Sequence, residues 1–144
     1  MSRKKLYFED VKEGDVLPSF TVENLTRTDI VRYAGSSGDF NPIHHDQGFA
    51  EAAGNPTVFA MGMMNAGILS RLVSDYAGVE NLRTYAIRFS TRVWPGDSLT
   101  CQGKITKKAV ENGEHLIAGE IVALNQKGEV AIQGSFQAAL PNKK

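Results

Sequence analysis

The chain has no cysteine pair, no excess of either charge and no long apolar run. Cys101 is the one cysteine among 144 residues. That excludes an internal disulfide framework and any paired-cysteine metal or redox motif. Lys plus Arg and Asp plus Glu each number 16, for a formal net charge of zero. There is no basic excess to grip a phosphate backbone, so nucleic acid is not an expected partner, and no acidic block marks a disordered tail. The longest charge-free stretch, 52–70, contains Asn55, Pro56, Thr57, Asn65 and three glycines. A membrane span requires about 20 mostly apolar residues. The stretch therefore reads as a helix buried inside a small protein, with no membrane association. The opening ten residues carry basic side chains without an apolar segment behind them, so no secretory leader is expected, and a cytoplasmic protein is. A hydrophobic fraction of 42% supports a real core. The length suits a single domain over 1–144, frayed only at its first five and last three residues.

The first half reads as turns and helices. Val16–Val22 is a candidate strand. Thr26 and Asp29 form a capping box that opens a short helix through Ile30, Val31 and Tyr33. Residues 35–42, rich in Gly, Ser, Asp and Asn, read as a loop. Asp46 caps a short helix containing Phe49, Ala50 and Ala53. A long helix starts near residues 57–60 and runs to Ala77, with Leu69, Leu72, Val73 and Tyr76 at helical spacing and Gly78 at its end.

The second half reads as antiparallel sheet. From Thr84 to Trp94 the apolar Tyr85, Ile87, Phe89 and Val93 alternate with Arg88, Ser90 and Arg92, a period of two. Pro95-Gly96-Asp97 turns the chain into a strand over Leu99–Val110. Asn112-Gly113 signals a tight hairpin. Leu116–Leu124 is nearly all apolar and reads as the central strand. Gln126-Lys127-Gly128 turns into a last strand carrying Val130, Ile132, Phe136, Ala138 and Leu140. About five strands must then bury one nearly uncharged helix, an α+β arrangement. The sheet wraps one face of that helix and leaves Gly62, Ala66 and Gly67 on the other. A second copy of the chain is the simplest cover, which predicts a homodimer.

The stretch Ser37-Gly38-Asp39-Phe40-Asn41-Pro42-Ile43-His44 concentrates the chemistry: a carboxylate, an amide and an imidazole within six residues. Three readings fit. Gly-Asp-x-Asn-Pro is ordinary turn chemistry, with Asp or Asn capping a backbone amide. Asp39 and His44 on one loop can also share a water, take its proton and supply one nearby. Asp39, His44, His45 and Asp46 offer metal-ligand atoms, although neighbouring histidines usually diverge and no spaced third ligand is evident.

The segment Gly38-Asp39-Phe40-Asn41-Pro42-Ile43-His44, with Ala50 six residues on, resembles the hydratase-2 motif of MaoC-like proteins. Those are (R)-specific enoyl-CoA hydratases and 3-hydroxyacyl-thioester dehydratases of the hotdog fold. The resemblance extends through Ala60-Met61-Gly62-Met63 and Val93-Trp94-Pro95-Gly96-Asp97, and covers about Tyr7 to Pro141. It implies that an antiparallel sheet wraps one long central helix, with active sites at a dimer interface and no metal or redox cofactor. It implies Asp39 and His44 as the catalytic pair that grips water and Asn41 as their support. Gly62 is implied as the residue whose N–H, at the helix N-terminus, polarises the thioester carbonyl. The implied substrate is a trans-2-enoyl-CoA or enoyl-carrier-protein thioester, reversibly hydrated to the (3R)-3-hydroxyacyl product. Many relatives have Ala-His-Gly where this chain has Ala60-Met61-Gly62. The backbone donor is unaffected, but the packing around the acyl group is altered, and Met61 is a candidate pocket residue.

Weaker candidates remain. Ser70, two turns beyond Gly62, either contacts substrate or bonds back to its own helix. Arg88, Arg92 and Lys104 either meet the phosphates of a CoA or carrier-protein arm or face solvent. Cys101 reads as inert core and Trp94 as packing at a strand end. Two other functions compete with hydration: a hotdog thioesterase, and an acyl-binding subunit of a heteromeric dehydratase.

Overall fold

The computed structural model describes residues 5–143. The expectation of frayed ends therefore lies partly outside the described residues. Lys143 is tied down by its N–H, which donates to the Glu9 carboxylate.

Helix α1 spans Arg27–Ser37 behind a complete capping box, in which Asp29 N–H donates to the Thr26 hydroxyl at 3.1 Å and Thr26 N–H donates to Asp29 at 2.9 Å. It runs three residues into the stretch expected to be loop. The Ser36 and Ser37 hydroxyls donate back to the Tyr33 carbonyl, so these polar residues are accommodated within the last turn. Helix α2, Gln47–Ala52, is capped by Asp46 as expected. Helix α3, Gly62–Ala77, begins later than its apolar pattern suggests. The Ala60 N–H donates to the Val93 carbonyl at 2.9 Å, and that bond holds the preceding residues extended.

Strand β1, Phe20–Val22, is shorter than the expected strand from Val16, which keeps only an isolated bridge to Lys104. Pro18 lies between them and has no N–H to give to a ladder. Strands β2 (Leu82–Phe89), β3 (Leu99–Glu111), β4 (Glu114–Asn125) and β5 (Val130–Ala139) complete one antiparallel sheet in the order β1-β3-β4-β5-β2. β4 is central, as its apolar sequence implies. The hairpin at Asn112-Gly113 has both residues at positive φ, 51° and 80°.

Alternation along β3 to β5 sends Cys101, Ile105, Ile117, Ile121, Ile132 and Phe136 into one core with Leu69, Leu72 and Val73 of α3. Each fully buried Leu or Ile side chain contributes about 1.5–3 kcal/mol. Ala66, expected on the exposed face of α3, is instead buried, and the neighbouring Tyr85 hydroxyl donates to its carbonyl at 2.8 Å. Of the other two residues expected on that face, Gly67 is exposed and Gly62 half-buried; Met63 is exposed as well. This sheet wrapped around a central helix is the hotdog arrangement. Among the described residues, no helix is long and apolar enough to cross a membrane.

Burial pushes the Cys101 thiol up from 9.0 to about 11 and the Tyr85 phenol up from 10.0 to about 12. Both shifts favour the neutral form in the fold, so the unfolded chain loses these protons first. The stability these two groups contribute is present below their unfolded values of 9.0 and 10.0 and is lost as pH climbs toward the folded values. Melting followed by circular dichroism is expected to show a falling Tm between pH 9 and 11. The fall should be shallower in Cys101→Ala. Equal slopes in the two proteins would remove Cys101 from this account.

Candidate active site

The loop that carries the chemistry is placed by the caps around it. Gly38 ends α1 in the left-handed region, at φ 73°, while its N–H still donates to the Ala34 carbonyl. A side chain with a β-carbon resists that conformation, and the reversal it allows brings the chain straight to Asp39. The Asp39 N–H donates to the Ser37 hydroxyl, and its Oδ1 accepts the Asn41 N–H at 3.3 Å. Asn41 Oδ1 accepts the Ile43 N–H at 3.1 Å and caps a single 3-10 turn, Pro42–His44. Asn41 thus orders the loop through backbone bonds. His44 ends that turn and is buried.

His44 Nδ1 lies 2.7 Å from the Phe59 carbonyl oxygen. A carbonyl oxygen only accepts, so Nδ1 carries the hydrogen, and in the neutral ring Nε2 presents a lone pair. Nε2 stands 3.9 Å from Asp39 Oδ2. That is beyond hydrogen-bond range, and a lone pair and a carboxylate oxygen have no proton to share. A water about 2.8 Å from each would see the two acceptors at an angle of roughly 90°, close to its own bond angle. The gap is shaped for one water donating twice.

His45 turns the other way, with Nε2 3.2 Å from the Phe40 carbonyl. Asp46 is spent capping α2. Among the described residues, no three His, Cys, Asp or Glu side chains gather closely enough to hold a metal ion.

The His44 ring meets Phe59 edge-on at 5.1 Å between centroids, and Phe59 meets Trp94 edge-on at 5.7 Å. Arg92 lies over the Phe59 ring at 5.2 Å. The segment bearing Phe59 is held on both sides. Arg27 donates to Gln47 and to Thr57, each at 2.7 Å, and Ala60 is pinned to Val93. The buried Asp97 carboxylate accepts the Trp94 N–H at 2.8 Å and Gln126 Nε2 at 2.7 Å, which fixes the other wall.

This wall borders a cavity of about 550 Å³ at the N-terminus of α3, lined by Phe59, Gly62, Asn65, Phe89, Arg92 and Trp94 among others. The Gly62 N–H opens the helix, where first-turn amides have no intrahelical acceptor. A β-carbon at residue 62 would come within 3.0 Å of the Phe89 ring. Phe89, expected to face the core, is 51% exposed because it ends its strand over that glycine. Asp39 and His44 do not line this cavity directly; Phe59 joins them to it. Met61 caps α3 but points into the core at 1% exposure, so it is not part of the cavity wall. Ser70 lies away from the cavity, its hydroxyl donating to the Gly67 carbonyl at 2.8 Å. Arg92 reaches the cavity, whereas Arg88 and Lys104 line a separate groove of about 910 Å³ across the strands. Sequence reasoning missed Phe59, Phe89 and Asn65. Asn65 had a visible signal, an amide inside an otherwise apolar helix one turn beyond Gly62.

The MaoC like domain matches residues 14–126. The chain belongs to the MaoC-like dehydratase family. It is 32% identical to the 3-oxo-4,17-pregnadiene-20-carboxyl-CoA hydratase beta subunit of Mycobacterium tuberculosis, over 81% of this chain and 87% of that protein. It is also 32% identical to an (R)-specific enoyl-CoA hydratase of Rhodospirillum rubrum, over 69% of each. The structure of an R-hydratase from Pseudomonas aeruginosa superimposes with a TM-score of 0.82 over 96% of this chain and 88% of that one, at 21% identity. That likeness shows the hotdog fold. As a member of a hydratase and dehydratase family, the chain falls among the hydro-lyases.

The tautomer assignment is directly measurable. Nitrogen-15 spectra of histidine-labelled protein, at a pH where the ring is neutral, should show His44 protonated at Nδ1 and bare at Nε2. The reverse tautomer would contradict the bond to Phe59.

Proposed function

We propose that this chain reversibly hydrates a trans-2-enoyl thioester, carried on CoA or on a carrier protein, to the (3R)-3-hydroxyacyl thioester. The observation that carries the reading is the 3.9 Å gap between the bare Nε2 of His44 and Asp39 Oδ2. One water fits there as a double donor. His44 takes one proton as the water oxygen bonds to Cβ, while Asp39 orients the other O–H. The C=C electrons move through Cα onto the thioester oxygen, which accepts the Gly62 N–H at the positive end of α3. A proton delivered to Cα from the Asp39–His44 side completes the addition of H and OH across the double bond. Run backwards, the same groups expel water. Asn41 supports the pair by ordering the loop.

The outer edge of β2 takes no strand partner among the described residues, and Met63 and Phe89 are exposed beside the cavity. Both features support pairing with a second copy of the chain. The Mycobacterium tuberculosis relative is named as a beta subunit, which favours a second reading: a related but different chain takes that place. Light scattering at a dimer mass supports the homodimer; a monomer active only after a partner is added supports the second reading.

Purified protein should consume crotonyl-CoA, read as loss of the conjugated-thioester absorbance. Asp39→Asn and His44→Ala should each lose at least ~10²-fold in rate while melting close to wild type. Wild-type turnover in both variants would refute the mechanism, and thiol release from saturated acyl-CoA would point to a thioesterase. Gly62→Val should stay folded, because the exposed Phe89 ring can swing aside. Its kcat/KM should fall by at least ~10-fold, since one oxyanion donor is typically worth 10²–10³-fold in kcat.

A further inference from the structure

Asn65 has no part in the mechanism above, yet its chemistry is out of place. The residue is 4% exposed in an apolar helix, and its Oδ1 is sealed from solvent with no hydrogen-bond partner. It is the one side-chain atom among the described residues in that condition; Nδ2 has no hydrogen-bond partner either, but it is not sealed. A buried carboxamide oxygen left unpaired is destabilising, whereas a leucine of similar size carries no such penalty. The sealed oxygen is an acceptor that a carbonyl ligand cannot satisfy; the unpartnered Nδ2 is the end free to donate to a ligand oxygen.

Its position says which ligand. Asn65 lies three residues after Gly62, so the two share one helix face. Helical side chains lean toward the N-terminus, which carries the carboxamide over the turn that Gly62 begins. Both residues line the same cavity, whose other walls combine the apolar Phe59, Phe89, Trp94 and Ile132 with Ser90, Thr91 and Arg92. A carboxamide donor beside a helix-terminal N–H suits an oxygen acceptor that gains negative charge. We propose that Asn65 Nδ2 is a second donor to the substrate's thioester carbonyl, forming with the Gly62 N–H a two-donor oxyanion pocket. The proposal rests on the hydration reading for its substrate class. It adds a residue that binds the developing enolate more strongly than the ground-state carbonyl, so its effect falls mainly on kcat.

The test uses Asn65→Leu, which keeps the volume and removes both polar ends, and Asn65→Asp, which keeps the shape and removes the donor. Crotonyl-CoA hydration in Asn65→Leu should fall by about 10- to 100-fold in kcat with KM little changed, while Tm stays level or rises. Asn65→Asp should lose at least as much. A second readout is independent of turnover: the vibrational frequency of carbonyl-labelled butyryl-CoA, a saturated thioester that cannot react. Wild-type protein should lower that frequency on binding, and Asn65→Leu should lower it less. If wild type hydrates crotonyl-CoA and both variants match its kcat and its carbonyl shift, the Asn65 proposal falls and hydration stands. If wild type lacks hydratase activity but shifts the carbonyl in an Asn65-dependent way, the donor pocket stands and hydration falls. If butyryl-CoA shows no carbonyl shift on wild-type protein, the donor pocket is refuted.

Discussion

The hydrogen bond from His44 Nδ1 to the Phe59 carbonyl is the constraint on which the proposed chemistry depends. It settles which ring nitrogen is bare and aims that nitrogen at Asp39. A backbone carbonyl is a rigid orienting partner only if its own segment is held, and here it is. Arg27 clamps Gln47 and Thr57 on one side, and the Ala60–Val93 bond secures the other. The imidazole is thus orientated by contacts reaching back to the start of α1 and across to the irregular segment after β2. The edge-on stack of His44, Phe59 and Trp94 adds a second restraint on the ring plane.

The sheet has a different task. By curling around α3 it buries that helix's sides while leaving its first turn open to a cavity. The burial supplies stability; the open turn leaves first-turn amides without intrahelical acceptors. Two requirements that usually compete, a closed core and an accessible backbone donor, are met by the flanks and the first turn of one helix.

The alternating strands, both hairpins, the capping box and the uncharged long helix could be read because each signal is local. The motif Gly38–His44 likewise singled out the loop. The beginning of α3 was misplaced because Val58, Phe59 and Ala60 look as apolar as helix core, and only the long-range bond to Val93 keeps them extended. Pro18 shortened β1 in a way its alternation did not reveal. Phe89 obeyed its period yet is half-exposed, because it ends its strand with its ring over Gly62 at the cavity. Met61, read as a candidate pocket residue, went to the core because the cap position turns its side chain inward. The cavity walls come from segments far apart in sequence, and no local pattern announces such a meeting.

Helix α1 sits between two fixed stops, the Thr26 box and the left-handed Gly38. An α-helix advances about 100° and 1.5 Å for each residue. The eleven residues between those stops therefore act as a gauge that sets the azimuth from which the acid emerges. Exchanging one exposed residue of this gauge for another leaves the setting intact. Adding or deleting a single one, even far from the imidazole, rotates the carboxylate out of line, so substitutions there are cheap and length changes are not.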